Sequence, residues 1–271
     1  MTVDVDAGVR IVGGHRITVS DTGTGTPVFL LHGAAPGASA TGTWSALTSV
    51  LAGGHRVVAP DFLGFGGSDK PEGEDYGIGV WTSQILALAD VLGVDRFSVV
   101  GNALGGRVGL QLALDAPQRI DRLVLLSTRI APSTSPAQTL LRNYRPDRTL
   151  MRELLQECFA HDPGTVTDAL VEQRYAFSAL PGAHEAMQRF FAGASAASVS
   201  LEDQLREVDH RTLVMHGRHD KVVPVSNSIT LAEWLPHAEL QVFADTGHWF
   251  LAEKADRFAT SVADFLAHNR S

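Results

Sequence analysis

Three stretches of the sequence carry residues that could transfer protons or activate a nucleophile. They are the glycine-rich turn Gly101-Asn102-Ala103-Leu104-Gly105-Gly106, the turn Gly217-Arg218-His219-Asp220, and Gly247-His248-Trp249. A histidine whose ring is held by a carboxylate can accept and return a proton near neutral pH, so His248 and Asp220 form a candidate pair. Each stretch comes just after a predicted strand, and strand ends are where ligands bind in open α/β sheets.

The glycine-rich turn is typical of a sharp passage from a strand into a helix. Small residues are needed at positions 101 and 105 because neighbouring backbone comes close there. Such a turn lifts residue 103 above the sheet and aims the amide of Leu104 at whatever binds there. Ala103 has no side-chain oxygen, so the chain as written cannot form an acyl-enzyme.

The histidines near Asp220 raise the alternative of a metal site. On the end of a strand, however, His216 and His219 would face in different directions, and no further ligand set is apparent in the sequence. We therefore expect no metal at this place and no cofactor.

Short apolar runs alternate with helical patterns along most of the chain. The runs predicted as buried parallel strands are residues 28–31, 56–59, 97–100, 123–126, 213–215 and 240–243. The predicted helices among them are residues 81–92, 104–114 and 258–266. Residues 9–12 and 16–19 flank Gly13-Gly14 and predict a hairpin at one sheet edge. This alternation predicts an α/β fold with a doubly wound, mostly parallel sheet.

The alternation stops between about Arg129 and Arg206, where no strand is predicted. This stretch begins with a Pro/Ser/Thr-rich linker at residues 131–136 and continues with helical patterns at residues 147–160, 167–177 and 184–191. We interpret it as an inserted helical cap over the ligand-binding edge of the sheet. The predicted division is an α/β core of residues 1–128 and 207–271 and a cap of residues 129–206.

Composition limits the classes of partner. The chain has 271 residues, 30 acidic and 22 basic, for a net charge of −8, and its mean hydropathy is +0.04. The sequence has no stripe of basic residues that could bind nucleic acid, and no apolar run approaches the ~18 residues that a membrane helix needs. Cys158 is the one cysteine, so no intrachain disulfide can form. With no signal-peptide pattern at the N-terminus, we expect a soluble, cytoplasmic protein.

Taken together, the motifs resemble the α/β-hydrolase fold. The turn at residues 101–106 resembles the nucleophile elbow G-x-S-x-G, with Ala103 in the place of the serine. In that fold the nucleophile, acid and histidine follow one another along the chain, which is the order of Ala103, Asp220 and His248. The motifs Leu31-His32-Gly33 and residues 61–68 precede them in the same order. The resemblance implies a catalytic triad whose nucleophile is missing.

A closer resemblance is to the meta-cleavage-product hydrolases, which cleave carbon–carbon bonds in aromatic degradation. Residues 32–40 read HGAAPGASA and resemble the H-G-x-G-P-G-A loop of that family. Residues 166–175 read VTDALVEQRY and resemble its cap helix, and Gly247-His248-Trp249 matches its G-H-W. These matches extend over most of the chain.

This resemblance implies roles for five further residues. Arg174 would bind the carboxylate end of a 2-hydroxy-6-oxo-dienoate substrate, Asn102 would hold its 2-oxygen, and Trp249 would border the pocket. The backbone amides of Ala34 and Leu104 would form the oxyanion hole. The alternative for Arg174 is a surface ion pair, but an i−2 neighbour does not face it on a helix. Members of the family form dimers or larger assemblies, so the resemblance also implies a homo-oligomer.

Several alternatives remain open on the sequence. Ala103 is either a deliberate replacement of serine made to trap a substrate, which we favour because the surrounding motif residues are intact, or natural. A natural alanine would indicate either a lyase or cyclase that uses His248 alone as its base, or a ligand-binding protein without catalysis. With serine restored, a carboxylesterase or lactonase is the alternative activity. Arg129 departs from the family's glycine-rich pattern and either lies at the pocket mouth or is solvated.

Overall fold

The computed structural model describes residues 7–130, 135–193 and 202–267. The strands are β1 Ala7–Val12, β2 His15–Thr22, β3 Thr26–Leu31, β4 His55–Pro60, β5 Phe97–Asn102, β6 Ile120–Leu126, β7 Arg211–Gly217 and β8 Ala238–Phe243. They form one sheet in the order β1-β2-β4-β3-β5-β6-β7-β8. The pairs β1–β2 and β2–β4 are antiparallel and all the others are parallel. The predicted edge hairpin and mostly parallel sheet are therefore confirmed.

The helices lie on both faces of this sheet and beyond its end. They are α1 Ala40–Leu51, α2 Ile78–Val91, α3 Leu104–Asp115, α4 Pro136–Asn143, α5 Arg148–Leu154, α6 Asp168–Ser178, α7 Ala183–Gly193, α8 Glu202–Arg206, α9 Ser226–Trp234, α10 Phe250–Glu253 and α11 Ala255–Ala267. Among the described residues, none of these helices has both the length and the apolarity that a bilayer crossing needs.

Alternate residues of each central strand enter opposite layers of the core. Phe29 and Leu31 of β3 face the layer that contains α2 and α3, whereas Val28 and Leu30 face the layer that contains α1 and α11. All four side chains are fully buried. Because helices cover both faces, the strands are continuously apolar rather than alternating.

The described residues between β6 and β7 contain helices and no strand; we call residues 127–130, 135–193 and 202–210 the inserted segment. Many of its apolar side chains form a separate cluster that includes Val222, Val223 and Trp249 from the loops after β7 and β8. Others, such as Phe190 and Leu205, belong to the core layer that contains α2 and α3. The inserted segment therefore packs against the edge of the sheet where the parallel strands end. The division at residues 128/129 and 206/207 stays a prediction.

Some local predictions differ from the structure. Residues 148–159 are helical without a break, which confirms the helical pattern predicted for residues 147–160; only the helix type changes, from α5, capped by Asp147, to one π-helical turn at Leu155–Phe159. Of the expected linker, residues 131–134 lie outside the described residues, and Pro136 begins α4 behind the capping side chain of Ser135. Helices α1, α4, α8, α9 and α10 lack a predicted counterpart in the sequence analysis.

Candidate active site

The glycine-rich turn joins β5 directly to α3 and holds Ala103 in a rare conformation. Ala103 has φ 50° and ψ −101°, a left-handed backbone that costs a residue with a side chain roughly 1–3 kcal/mol. A Cβ atom on Gly101 would overlap the backbone of Gly105, and one on Gly105 would overlap the carbonyl of Leu31. The turn therefore requires glycine at both positions.

His248 and Asp220 are brought together by the loops that follow β8 and β7. Nδ1 of His248 lies 2.7 Å from Oδ2 of Asp220, and both side chains are almost wholly buried. Because the carboxylate accepts the Nδ1 proton, Nε2 of the neutral ring is left as the basic nitrogen. The arrangement can therefore accept a proton at Nε2 and stabilise the resulting imidazolium.

The Asp220 carboxylate is held on both of its oxygens. Oδ1 accepts the backbone N–H groups of Val222 and Val223, each at 2.8 Å. Burial by itself would raise the pKa of Asp220, but the charges and hydrogen bonds of His248 and His216 hold that pKa well below its usual value. Asp220 is therefore a carboxylate throughout the neutral range.

His216 is a second buried histidine behind the acid, and the sequence analysis did not anticipate its role. Nε2 of His216 lies 3.2 Å from Oδ2 of Asp220 and 2.9 Å from the carbonyl oxygen of Val223, so Nε2 must carry a proton. Its Nδ1 lies 2.6 Å from the hydroxyl of Ser228. His216 therefore positions the carboxylate that orients His248.

His32 fixes the loop that leads to Ala34. Nδ1 of His32 donates to the carbonyl of Gly33 at 2.7 Å, and Nε2 accepts the backbone N–H of Phe62 at 3.0 Å. This is the neutral tautomer, and burial lowers the pKa of His32. The motif around Asp61 is structural as well, since its carboxylate accepts N–H groups from Ala40 and from the glycine-rich part of its own loop.

The two candidate oxyanion donors flank Ala103. Leu104 is the first residue of α3, where backbone N–H groups have no partner within the helix. A Cβ built on Gly33 would lie 3.6 Å from the Cβ of Ala103, which places the loop preceding Ala34 against the elbow. Within the described residues, the amide of Ala34 donates no hydrogen bond. Both amides are thus available to an oxygen bound above Ala103.

Arg174 lies on α6 and is buried without an acidic partner. Its side chain is 4% exposed, and among the described residues its Nε and Nη1 atoms have no hydrogen-bond partner. The neighbouring acids are engaged elsewhere, Glu172 by Arg148 and Asp168 by Arg152. Burial lowers the pKa of Arg174 to about 10. The surface ion pair considered from the sequence is therefore wrong, and the guanidinium can receive an anion.

Aromatic rings connect Arg174 with His248. The Cζ atom of Arg174 lies 4.7 Å from the ring centroid of Trp249, which is a cation–π contact. Phe159 of the inserted segment contacts both Trp249 and His248, with centroids 5.2 and 5.3 Å apart. These rings form an apolar wall between the guanidinium and the imidazole.

Asn102 and Arg129 are two further residues that the sequence analysis named. Asn102 is buried, and its Oδ1 atom has no hydrogen-bond partner within the described part of the chain. Arg129 is half-buried and donates to Oε1 of Gln138 at 2.8 Å, so it is not freely solvated. Burial and the charge of Arg142 hold its pKa below the usual value.

Comparisons with known proteins agree with this geometry. Residues 26–255 match the α/β hydrolase fold family. The 2-hydroxymuconate semialdehyde hydrolase of Pseudomonas sp. (strain CF600) is 39% identical, over 95% of this chain and 92% of that protein. The 2-hydroxy-6-oxo-2,4-heptadienoate hydrolase of Pseudomonas putida F1 is 35% identical over 95% of both chains.

A solved structure is similar over its whole length. It is the meta-cleavage product hydrolase of Pseudomonas fluorescens IP01 (CumD), as a serine-to-alanine mutant complexed with acetates. It is 34% identical, has a TM-score of 0.90 and covers 97% of this chain and 98% of its own. The expected fold and family are confirmed: this chain belongs to the α/β-hydrolase fold family and, within it, to the meta-cleavage-product hydrolases.

Proposed function

We propose that this protein, in a form with serine at position 103, hydrolyses a carbon–carbon bond in 2-hydroxy-6-oxo-hexa-2,4-dienoate-type ring-fission products of aromatic degradation. The observation that carries this proposal is the buried, unpartnered guanidinium of Arg174, separated from His248 only by an apolar wall. An ordinary ester needs no anion site at that place. A dienoate has both a carboxylate for Arg174 and an apolar chain for the aromatic wall.

The first step of the proposed reaction moves a proton within the substrate. His248, oriented by Asp220, helps to transfer the proton of the 2-hydroxyl group to C5, which gives the 2-keto tautomer. Arg174 and the amide of Asn102 hold the negative charge that develops at the carboxylate end. In the keto tautomer the bond between C5 and C6 can break, because the carbanion that forms at C5 is conjugated with the 2-keto group.

The second step requires the hydroxyl that this chain lacks. A serine at position 103 attacks the C6 ketone while His248 takes its proton, and the amides of Ala34 and Leu104 bind the oxyanion. The C5–C6 bond breaks, its electron pair moves through the C3=C4 double bond to the 2-oxygen, and that oxygen takes the proton that His248 removed from the serine. The products of this step are 2-hydroxypentadienoate and an acyl-enzyme, which water activated by His248 then hydrolyses.

We also propose that Ala103 stands where the active protein has serine. The turn at residues 101–106 keeps its strained conformation and its two glycines, and Asp220 and His248 keep their hydrogen bond. These features position and activate a nucleophile, which this chain lacks. Removing a nucleophile of this type costs about 10⁶-fold in kcat. The chain as it stands is therefore expected to bind dienoates without turning them over.

The test is the Ala103→Ser variant, assayed by the loss of the yellow dienolate band with several ketone substituents. We expect turnover that the additional change His248→Ala abolishes. Turnover of p-nitrophenyl esters without preference for dienoates would replace this proposal with a carboxylesterase or lactonase. Tight dienoate binding with no turnover in the Ala103→Ser variant would favour a ligand-binding protein or a serine-independent enzyme.

Two wider properties belong to the same proposal. A cytoplasmic location agrees with Cys158, which is buried and not in a disulfide. A homo-oligomer is expected from the family resemblance, and light scattering on the purified chain measures it directly. A mass equal to one chain of 29.0 kDa at working concentration would overturn that expectation.

A further inference from the structure

Three side chains of the types that bind transition metals come from separate loops and lie close together beside the candidate active site. His161 follows the π-helical turn of the inserted segment, His219 follows β7, and Asp245 follows β8. One donor atom from each lies within 4.8 Å of the other two, and all three residues are exposed. This is the only such group of histidine, cysteine or acidic side chains found in residues 7–130, 135–193 and 202–267.

Backbone contacts hold these three loops against one another. The amide of His219 donates to the carbonyl of Thr246 at 2.9 Å, which ties the loop after β7 to the loop after β8. The carboxylate of Glu253 accepts the amides of His161 at 2.7 Å and Gly247 at 2.6 Å. The three side chains therefore start from fixed positions, and their proximity does not depend on flexible backbone.

The two histidine rings are stacked and otherwise free. Their centroids are 4.5 Å apart with an interplanar angle of 17°. Neither ring forms a hydrogen bond or ion pair with another described residue, in contrast to the ring of His216, whose two nitrogens are both engaged, and to that of His248, whose Nδ1 is bound to Asp220. The nitrogens of His161 and His219 are therefore available to a ligand.

We propose that His161, His219 and Asp245 bind a divalent transition metal ion such as Zn²⁺, which would overturn for His219 the expectation from the sequence that no metal binds beside Asp220. Two imidazole nitrogens and one carboxylate oxygen suit zinc, copper or nickel and not magnesium. Zinc bonds of about 2 Å place the donors of a tetrahedral site roughly 3.3 Å apart. Because the donor atoms lie within 4.8 Å of one another, the site needs a contraction of at most about 1.5 Å, which exposed side chains reach by rotamer changes, and water completes the coordination.

The position gives this metal a structural consequence. His219 directly precedes Asp220, Asp245 lies three residues before His248, and His161 lies two residues after Phe159, which contacts the His248 ring. A bound ion would tie the inserted segment to the two loops that carry the acid and the base. The three side chains do not include Asp220 or His248. Metal binding can therefore be measured separately from catalysis and without any substrate.

Titration calorimetry of the chain with zinc chloride tests the proposal. We expect one ion bound per chain, at least tenfold weaker binding in His161→Ala, His219→Ala and Asp245→Asn, and no binding of Mg²⁺. The matched control is His237→Ala, which removes an exposed histidine that faces Asp209 at 2.8 Å. Equal zinc affinity in the chain and in the three site variants would overturn the proposal, as would a loss in the control equal to theirs.

Thermal unfolding followed by circular dichroism gives a second readout and checks that each variant folds. A ligand that binds only the folded state raises the unfolding temperature. Zinc should raise it in the chain and in His237→Ala, and should leave it unchanged in a variant that lacks all three ligands. A zinc-dependent rise of the same size in that triple variant would contradict the assignment. None of these outcomes depends on the proposed hydrolase activity.

Discussion

Replacing Arg174 by methionine should make the protein more stable and at the same time less able to bind its substrate. The guanidinium is charged in the folded and unfolded states at neutral pH, because neutral pH lies below both the folded pKa of about 10 and the higher, ordinary pKa of an arginine. That fall in the pKa corresponds to about 3 kcal/mol by which folding is opposed. Methionine fills a similar space without the charge.

The contacts that Arg174 loses limit the increase in the free energy of unfolding. Arg174 gives up its cation–π contact with Trp249, which is a contribution of about 1 kcal/mol. We therefore expect Arg174→Met to raise the free energy of unfolding by about 1–2 kcal/mol in urea denaturation at pH 7. The matched control is Arg148→Met, since Arg148 is exposed and paired with Glu172, and its loss should not stabilise the chain.

The loss of binding follows from the same unpartnered N–H groups. Hydrogen bonds to charged groups contribute about 1.5–3 kcal/mol each, so two of them to a carboxylate correspond to a hundredfold or more in Kd. The Ala103 chain allows this to be measured as dienoate binding by absorbance, without turnover. If Arg174→Met destabilised the chain, or bound dienoate as tightly as the parent, the anion-site argument would be refuted.

Three further changes test other parts of the site. Gly105→Ala should lower the free energy of unfolding by about 3 kcal/mol, because its Cβ overlaps a rigid carbonyl, whereas Gly79→Ala in open space on α2 should raise it by about 0.5–1 kcal/mol in the same urea titration. Asp220→Asn should cost about 3 kcal/mol at pH 7, and acid titration should show the difference shrink as the pH falls below about 4, the ordinary aspartate pKa, towards the lower folded pKa, because the unfolded carboxyl takes up its proton first. Glu253→Gln should cost about 1–3 kcal/mol in thermal or urea unfolding, since an amide cannot accept all the backbone N–H groups that the carboxylate accepts. A neutral outcome for any of them would contradict the contact on which it depends.

The strand–helix architecture could be predicted from the sequence because helices cover the central strands on both faces. Runs such as Val28-Phe29-Leu30-Leu31 are continuously apolar, and the layers of α1 and α3 bury them from both sides. Helix α1 was missed for the opposite reason. Its sequence, ATGTWSALTSVL, is rich in threonine, serine and glycine, and its start depends on the side chain of Ser39 accepting a hydrogen bond from Gly42.

Only those residues of the candidate active site that follow predicted strands in a fixed order could be predicted from the sequence. The hydrogen bond of His248 to Asp220 agrees with the order of the motifs, although the catalytic roles themselves stay predictions. The contributions of His216 and Glu253 depend on side chains that reach across different loops, and no spacing in the sequence indicates them. His161 and His219 are far apart in the chain, and only the folding of the inserted segment onto the sheet brings their rings together.

The placement of the acid and the base after the two last strands has a consequence for synthesis of the chain on the ribosome. The elbow at Ala103 is complete once β6 can dock, since its amide bonds to the carbonyl of Leu126. The proton-accepting ring is added only after β8, long after the elbow has emerged. A chain arrested in between would therefore contain the elbow but lack His248, the base on which the proposed reaction depends.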